Sequence, residues 1–277
     1  MSRNTDIHIL KEGVEVTYDD LPKTFLWHGD VEKFIDILPE IGIFDLVFTS
    51  PPYNIGKQYE KQQSLEKYLE WQSRIISKIA KRLKPTGSIC WQVGNFVRKG
   101  KGAKSSTILP LDILFHDIFT KNDLQLRNRV IWHFEHGLNC SYRFSGRYET
   151  VMWYTKSDNY LFNLDAVRVP QKYPGKRHFK GPNLGKLSCN PKGKNPSDIW
   201  SIPNVKSNHV EKTDHPCQFP VALVQRFILS LTEKQHLVFD PFSGVASTGV
   251  AALLEGRHYW GCEIHEDYIG TGKSRLE

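Results

Sequence analysis

Long apolar runs are missing from this 277-residue sequence. No stretch approaches the roughly 18 consecutive apolar residues that a membrane-spanning helix needs. The first residues are polar and include Asp6, Glu12 and Glu15, which is not the pattern of a secretory signal peptide. We therefore expect a soluble, cytoplasmic protein that makes no contact with a membrane.

Cysteine is also scarce, and its spacing argues against two common kinds of site. The cysteines are scattered without any CxxC pair, so neither a zinc site nor a disulfide framework is indicated. The simplest expectation is that all of them are buried, reduced thiols. They are Cys90, Cys140, Cys189, Cys217 and Cys262. The sequence therefore predicts no bound metal.

Acidic residues are outnumbered, and the imbalance is confined to one segment. The net charge is +7, and residues 171–212 contain nine Lys or Arg residues against two acidic ones, so the rest of the chain is neutral. A basic segment attached to a neutral body is typical of a protein that binds a polyanion. A solvated lysine-rich loop is the alternative interpretation of the segment taken alone.

Predicted strands and helices alternate along most of the chain. The length allows one large α/β domain, or one domain with an insertion. Strands are predicted at 44–48, 88–93 and 236–240, and the clearest helix at 64–83, where apolar residues recur at helical spacing. This alternation implies a mostly parallel sheet covered by helices on both faces.

Residues 158–214 break this alternation, because they are rich in Pro, Gly, Lys and Asn and lack a sustained period. We interpret them as an ordered insertion with apolar side chains of its own to bury. Those side chains are Phe162, Tyr173, Phe179, Ile199 and Trp200.

The segment Thr49-Ser50-Pro51-Pro52-Tyr53 follows a predicted buried strand and suits the activation of a planar amine. The exocyclic amine of a nucleobase is a poor nucleophile because its lone pair is delocalised into the ring. The Ser50 hydroxyl and the Pro51 carbonyl can accept hydrogen bonds from both of its N–H groups. The two prolines hold these acceptors in place, and Tyr53 offers a face on which a base can stack. A strand-terminal turn with a packed tyrosine is the alternative.

A second segment, Asp240-Pro241-Phe242-Ser243-Gly244, ends another predicted strand shortly before a helix that begins at Ser247. Small residues let the backbone approach a ligand, and a helix N-terminus favours the ligand's carboxylate. Glu263 ends the next strand about 20 residues further on, where an acid can hold two ribose hydroxyls. The pattern favours a nucleoside-like cofactor; an ordinary strand–turn–helix is the alternative.

In this order, with the amine clamp first and the cofactor turn last, the two segments resemble the motifs of the amino-methylating (N6-adenine and N4-cytosine) DNA methyltransferases of the β group. The resemblance covers residues 25–156 and 215–267. It implies an α/β fold: a doubly wound, mostly parallel, Rossmann-like methyltransferase sheet in circularly permuted order. The expected parts are a catalytic half (1–157), a target-recognition insert (158–214) and a cofactor-binding half (215–277).

The resemblance also implies the reaction. A methyl group passes from S-adenosyl-L-methionine (AdoMet) directly to the exocyclic amine of a base flipped out of duplex DNA, without a metal or a covalent enzyme–base intermediate. The catalytic residues implied are Ser50, Pro51, Pro52 and Tyr53.

Further matches complete the expected cofactor site. In the family an acid at the position of Asp30 lies near the cofactor's adenine, and the helix-opening segment 215–220 packs on AdoMet. Phe242 is expected against the sulfonium, as a cation–π contact. The family usually has a second glycine where Ala246 stands, so the methyl group of Ala246 is expected to narrow the turn. The full set implied is Asp30, Gln218, Phe219, Asp240, Pro241, Phe242, Ser243, Gly244, Ala246, Ser247 and Glu263.

For DNA, Arg143, Arg147 and Glu149 resemble the family's late catalytic-domain motif and are expected to shape the wall around the flipped base. The loop 54–63, which carries Lys57 and Tyr59, is expected to close over that base. Most basic residues of the insert should meet phosphates, which position the DNA without specifying its sequence. The DNA contacts implied are Lys57, Arg143, Arg147, Lys172, Lys176, Arg177, Lys180, Lys186, Lys192 and Lys194.

The sequence leaves the methylated base open. In the family, Ser as the first clamp residue leans to cytosine N4, whereas Asn54 directly after Tyr53 is similar to the adenine N6 enzymes. Two rival functions also stay open: an RNA or protein-amide methyltransferase of the same fold, and a catalytically inactive DNA-binding protein, which Ala246 alone supports. The family further suggests a homodimer and a cognate restriction endonuclease as partners, in a prokaryotic cell or encoded by a phage.

Overall fold

The protein, described here as a computed structural model, is built on one large mixed sheet. The structure describes residues 7–54, 63–98, 100–137 and 139–277. The strands in these ranges are β1 (His8–Lys11), β2 (Thr24–His28), β3 (Phe44–Thr49), β4 (Leu83–Val93), β5 (Asn95–Arg98), β6 (Thr107–Pro110), β7 (Gln125–His133), β8 (Tyr148–Thr155), β9 (Ile199–Ser201), β10 (Leu237–Asp240) and β11 (His258–Glu263). The α-helices are α1 (Val31–Asp36), α2 (Leu65–Arg82), α3 (Leu111–Thr120), α4 (Val221–Leu231), α5 (Ser247–Leu254) and α6 (Glu266–Leu276).

The order of the strands confirms the predicted permuted sheet. It is β1-β2-β11-β10-β3-β4-β8-β7-β9, so two strands from the end of the chain lie between β2 and β3. In the order of the sheet, all neighbouring strands from β1 through β11 and β10 to β4 are parallel. Strand β8 runs antiparallel to both β4 and β7, and β9 is parallel to β7. Because β3 and β10 are parallel neighbours, the two motifs that follow them meet at one edge of the sheet.

Helices cover both faces, as the alternating pattern predicted. One apolar core lies under α1, α2 and α3 and includes Phe34, Ile76 and Phe115. The second lies under α4, α5 and α6 and includes Phe227 and Ile269. Burial of these side chains is the main favourable term that fixes the sheet between two helical layers.

Several elements differ from the sequence-based expectation. Strand β4 begins at Leu83, the predicted last residue of the helix, and not at Ser88, because Leu83 pairs with Phe44 ahead of a register shift between Phe44 and Leu46. Strand β1 and the β5–β6 hairpin were not predicted. These are short strands with mixed burial, so their apolar pattern is weak.

The predicted insert is partly woven into the main body. Trp200, on the unpredicted strand β9, is 7% exposed and belongs to the second core, and Phe162 stacks on Trp153 with ring centroids 5.4 Å apart. The expectation that Tyr173, Phe179 and Ile199 are buried is wrong: they are 63%, 79% and 63% exposed. The domain boundaries at 158 and 214 stay a prediction.

The cysteines also differ in part from expectation. Cys90 and Cys262 are buried, but Cys140 and Cys189 are half-buried and Cys217 is exposed. All of them are free thiols in the structure. Within the part of the chain that the structure describes, no helix combines the length and apolar character needed to cross a membrane.

Candidate active site

A cavity of about 620 Å³ opens at the sheet edge where the two motifs meet. Its size is in the usual range for a small-molecule site. It is lined by the clamp residues Ser50, Pro51, Pro52 and Tyr53 together with residues of the cofactor turn 240–247, namely Pro241, Phe242, Ser243, Gly244 and Ser247. Asp30, Gln218, Phe219 and Glu263 line it as well. The structure thus brings together in one cavity side chains that are far apart in the sequence.

The clamp loop 50–53 is fixed by a helix that packs behind it. Ser64 caps α2 by accepting a hydrogen bond from the Lys67 N–H, and the helix carries Tyr68, whose hydroxyl donates to the Pro52 carbonyl at 2.6 Å. Pro51 is buried and Ser50 is half-buried at the cavity wall. The position of the Ser50 hydroxyl and the Pro51 carbonyl is therefore set by packing before a substrate arrives.

Asn54 follows the clamp loop, and its side chain is hydrogen-bonded to the backbone of Gln63. Its backbone is left-handed, with φ of 58°, a conformation that Asn tolerates better than most residues. Its side-chain amide donates to the Gln63 carbonyl and accepts from the Gln63 N–H, both at 2.8 Å. The predicted closing-loop residues Lys57 and Tyr59 lie outside the described residues.

Glu149 extends from β8 into the cavity and meets the clamp tyrosine. The Tyr53 hydroxyl donates to Glu149 Oε2 at 3.3 Å, and Gln92 Nε2 on β4 donates both to the Tyr53 hydroxyl at 2.8 Å and to Glu149 Oε2. Burial raises the pKa of Glu149 to about 7, although these hydrogen bonds oppose the shift. The carboxyl group lies deep in the protein with part of its surface open to the cavity.

A buried hydrogen bond joins the two motif loops. Thr49, at the end of β3, donates from its hydroxyl to Asp240 Oδ1 at 2.6 Å, and the same oxygen accepts the Phe242 N–H at 3.1 Å. Asp240 is fully buried beneath the loops and does not line the cavity. It was predicted as a cofactor contact; the structure places it as the support that couples the cofactor turn to the clamp loop.

The cofactor turn is shaped by backbone contacts with β11. The Ser243 N–H donates to the Cys262 carbonyl at 2.8 Å, and the Gly244 N–H donates to Glu263 Oε2 at 2.9 Å. Gly244 has φ of +52°, and a Cβ at this position would lie 3.3 Å from the ring of His215. Both observations favour glycine here. Burial, with Lys212 nearby, lowers the pKa of His215 to about 4, so this ring is neutral at pH 7.

Ala246 does not narrow the turn, which corrects the sequence-based expectation. It is fully buried and its methyl group packs against Gly272 of α6, so it lies behind the turn rather than in the cavity lining. Its backbone is left-handed, with φ of 59°, which explains why glycine would suit the position. The substitution therefore costs backbone strain of about 1–2 kcal/mol without reducing the cavity.

Two of the three acids predicted for the cofactor, Asp30 and Glu263, are at the cavity wall. Asp30 caps α1, because its Oδ1 accepts the Glu32 N–H at 2.7 Å. Glu263 accepts three backbone N–H groups, from Gly244, Ile264 and His265, and burial raises its pKa. A carboxylate has about four acceptor positions, so Glu263 has room for one ribose hydroxyl while its present bonds stay intact.

Aromatic side chains complete the wall between the two motifs. Phe242 lies in edge contact with Trp71, with ring centroids 5.5 Å apart, and with Trp91 at 6.1 Å. Phe219 packs against Phe48, and Gln218 is fixed by hydrogen bonds to Glu211 and Thr213. The cavity therefore has electron-rich faces, carboxylates and a glycine turn. These residues fit AdoMet, which carries a sulfonium, a ribose and an amino-acid carboxylate.

The predicted DNA contacts are not gathered at this cavity. Arg143 and Arg147 lie in the loop that precedes β8, where Arg147 donates to the Asn139 side chain, and neither lines the cavity. Lys192 is paired with Asp165 at 2.6 Å. Lys172, Lys176, Arg177 and Lys194 surround a separate depression with Tyr173 and Phe179, whereas Lys180 and Lys186 lie outside its lining.

Sequence reasoning missed several residues of the cavity. Gln92, Trp71 and Tyr68 were not assigned to it, and Glu149 was grouped with two arginines that do not line it. A period-2 pattern on β4 and β8 identifies residues on one face of a strand. It does not reveal which strands are neighbours.

Comparisons with known proteins agree with the geometry. A family model described as DNA methylase, N6_N4_Mtase, matches residues 44–274. The chain is 42% identical over 268 residues to the type II methyltransferase M.BglII of Bacillus subtilis, covering 93% of this chain and 73% of that protein. It is 35% identical over 280 residues to the type II methyltransferase M.ScaI of Streptomyces caespitosus, covering 99% and 88%.

Solved structures show the same fold. The PvuII DNA methyltransferase (cytosine-N4-specific) superposes with a TM-score of 0.69 at 24% identity and covers 91% of this chain and 86% of its own. The complex of M1.HpyAVI with SAM superposes with a TM-score of 0.62 at 21% identity, covering 91% and 98%. The family match favours DNA over RNA or protein substrates, and an enzyme over an inactive binding protein. The chain belongs to the N6_N4_Mtase family of DNA methylases and is an AdoMet-dependent, site-specific DNA amino-methyltransferase.

Proposed function

We propose that this enzyme methylates the N4 amine of cytosine rather than the N6 amine of adenine. The observation that carries the proposal is the position of Asn54, the residue that favoured adenine. Its left-handed backbone and its paired bonds to Gln63 give it a structural task in closing the loop. This structural role accounts for Asn54, and Ser50 as first clamp residue, which leans to cytosine N4 in the family, supports cytosine as the substrate.

The clamp residues account for the chemistry on the base. AdoMet, when bound, supplies an electrophilic methyl group. The Ser50 hydroxyl and the Pro51 carbonyl accept the two N–H groups of the amine and draw its nitrogen toward tetrahedral geometry, which frees the lone pair. The ring of Tyr53 stacks on the flipped base. Tyr68 keeps the loop in position through Pro52.

The product base tests this proposal directly. The protein is expressed in a host without DNA methylation, and the genomic DNA is digested to nucleosides for mass spectrometry and sequenced in native form. N4-methylcytosine at one short recurring sequence is the expected result. N6-methyladenine, with no methylated cytosine, would contradict it. Host DNA from cells that express the Tyr53→Ala variant is the control for background modification.

We also propose that the exposed part of the insert around Lys172, Tyr173, Phe179 and Lys180 binds the DNA backbone. Lys172 lies 5.5 Å from the ring of Tyr173, and Lys180 lies 5.6 Å from the ring of Phe179; both rings are exposed. Cations beside exposed aromatic rings suit a nucleic acid, which offers phosphates and bases. Asn204 and Val205, near the end of the insert, line the active-site cavity, so the insert is joined to the site.

Replacing Lys176 and Arg177 by Ala should weaken DNA binding at all sequences alike. Each phosphate contact contributes about 0.9 to the slope of log affinity against log salt concentration, so the slope should fall by about 2. Fluorescence anisotropy with a labelled duplex at several salt concentrations measures this slope. The matched control is Lys121→Ala with Lys234→Ala, two exposed lysines that lie outside the insert in the sequence. An unchanged slope in the insert variant would remove these residues from the interface.

We further propose partners and a cellular location for the enzyme. The relatives are type II methyltransferases from bacteria, which supports a cognate restriction endonuclease and a cytoplasmic, prokaryotic or phage-encoded enzyme. A homodimer is supported by apolar residues exposed on the β5–β6 hairpin and α3, where Val97 is 38%, Ile108 46% and Ile113 61% exposed.

A further inference from the structure

Three side chains form a continuous hydrogen-bonded path from the clamp to a buried carboxylate. Ser50 Oγ lies 3.2 Å from the Tyr53 hydroxyl, and the Tyr53 hydroxyl lies 3.3 Å from Glu149 Oε2. All three residues line the cavity. The path begins at the hydroxyl that the proposed chemistry uses to hold the amine, and it ends at the carboxylate on β8.

Gln92 gives this path a direction. Its Nε2 group is only a donor, and it donates to the Tyr53 oxygen at 2.8 Å and to Glu149 Oε2. The Tyr53 oxygen therefore accepts from Gln92, and its own proton points to Glu149. The Ser50 hydroxyl can then donate to the Tyr53 oxygen. Each hydroxyl is arranged to pass a proton away from the clamp and toward Glu149.

We propose that Glu149 is the terminal acceptor of the proton that the amine loses on methylation, with Tyr53 and Ser50 as the relay. The amine nitrogen forms a bond to the methyl carbon as the bond between that carbon and the sulfonium sulfur breaks. The nitrogen then carries a positive charge and one proton too many. That proton passes to Ser50 Oγ as the Ser50 proton passes to Tyr53 and the Tyr53 proton to Glu149. The carboxylic acid later releases it to water through the cavity.

The surroundings of Glu149 suit this task. It contacts Tyr53 and Gln92, lies beside Gly94, and faces Trp132 on β7 across the strand pair, and no salt bridge joins it to a cation among the described residues. Burial raises its pKa to about 7. An acceptor that is near half-ionised at neutral pH can both take up and release a proton. An ionised carboxylate held by a salt bridge would be a weaker base.

Glu149→Gln is the direct test, because the amide keeps an oxygen for Tyr53 and Gln92 but cannot take up a proton. We expect the single-turnover rate at pH 7.5 to fall about 10²-fold. In the wild type the rate should rise with pH through about 7, since only the ionised form accepts a proton, and this rise should disappear in the variant. Tyr53→Phe, which keeps the ring but breaks the relay, should lose the same pH dependence. Glu149→Asp should retain it at a reduced rate.

Binding measurements separate this role from a structural one. The heat-denaturation midpoint shift with AdoMet and the affinity for duplex DNA should be unchanged in Glu149→Gln, and Glu66→Gln, an exposed carboxylate on α2, should behave as wild type throughout. Infrared difference spectra of the protein without AdoMet, wild type minus Glu149→Gln, should show a protonated carboxyl band that vanishes above about pH 7. An unchanged rate and pH profile in Glu149→Gln, or a carboxyl ionised down to pH 5, would overturn the proposal.

The inference rests on the proposed amine chemistry but not on the choice of cytosine. If the product is N6-methyladenine, the assignment of the base fails while the pH profiles still decide the role of Glu149. If N4-methylcytosine forms and Glu149→Gln is fully active, only the relay fails.

Discussion

Tyr53→Ala should reduce the single-turnover rate of methylation by about 10³-fold or more. Two losses combine in this variant. Stacking of a base on an aromatic ring contributes about 1–3 kcal/mol, and loss of the path from Ser50 to Glu149 removes the proposed proton acceptor, worth about 10²-fold. Tyr53 is half-buried at the cavity wall, so truncation of its side chain should leave the fold intact. Rapid-quench assays with labelled AdoMet and pre-bound duplex measure the rate.

The matched variant Tyr53→Phe separates the two losses. This variant keeps the aromatic ring, so its single-turnover rate should fall only by the factor that the proton relay contributes. The rate should therefore lie between those of the wild type and Tyr53→Ala. DNA affinity should change by less than about tenfold in both variants, because phosphate contacts supply most of the affinity. Full activity in Tyr53→Ala would exclude both roles of this side chain.

Asp240→Ala should lower the free energy of unfolding by about 2–4 kcal/mol and abolish the stabilisation that AdoMet gives. The substitution leaves the Thr49 hydroxyl and the Phe242 N–H without their acceptor in a fully buried position. It also removes the bond that holds the cofactor turn against the clamp loop. Urea denaturation at pH 7.5, with and without AdoMet, measures both effects.

Asp240→Asn is the control, because its amide oxygen can still accept from Thr49 and Phe242. Burial raises the pKa of Asp240 to about 6, so between its usual value near 4 and about 6 the folded protein binds more protons than the unfolded one. The wild type therefore loses stability as pH rises through this window. Asn does not titrate, so Asp240→Asn should compare better with wild type at pH 7.5 than at pH 4. Wild-type stability in Asp240→Ala would contradict the coupling role.

The sequence was sufficient to predict the class of fold and the two motifs because both depend on short-range order. Apolar runs that end in Thr49-Ser50-Pro51-Pro52-Tyr53 and Asp240-Pro241-Phe242-Ser243-Gly244 identify strand ends, and parallel strands bring such ends to one edge. The cavity confirmed that the two segments meet. Glu263 followed from the same reasoning, since it lies at the end of a strand, whereas Asp30 was implied by the resemblance to the family.

The contacts between side chains in the site depended on which strands are neighbours in the sheet, and no local sequence pattern carries that information. Asp240 and Thr49 are 191 residues apart and Glu149 and Tyr53 are 96 apart, yet each pair is hydrogen-bonded. The direction of the Ala246 methyl group was also undetermined, because it follows from a left-handed backbone packed against α6.

The sequence by itself determined which functional segments the protein has: a clamp for an amine, a turn for a nucleoside cofactor and a basic segment for a polyanion. Only the tertiary structure decided how these parts are supported. The order of strands in the sheet placed β8 beside β4 and thereby delivered Glu149 to the clamp tyrosine. It also buried Asp240 beneath the loops, because a side chain at the end of a central strand is enclosed by the neighbours that the fold provides.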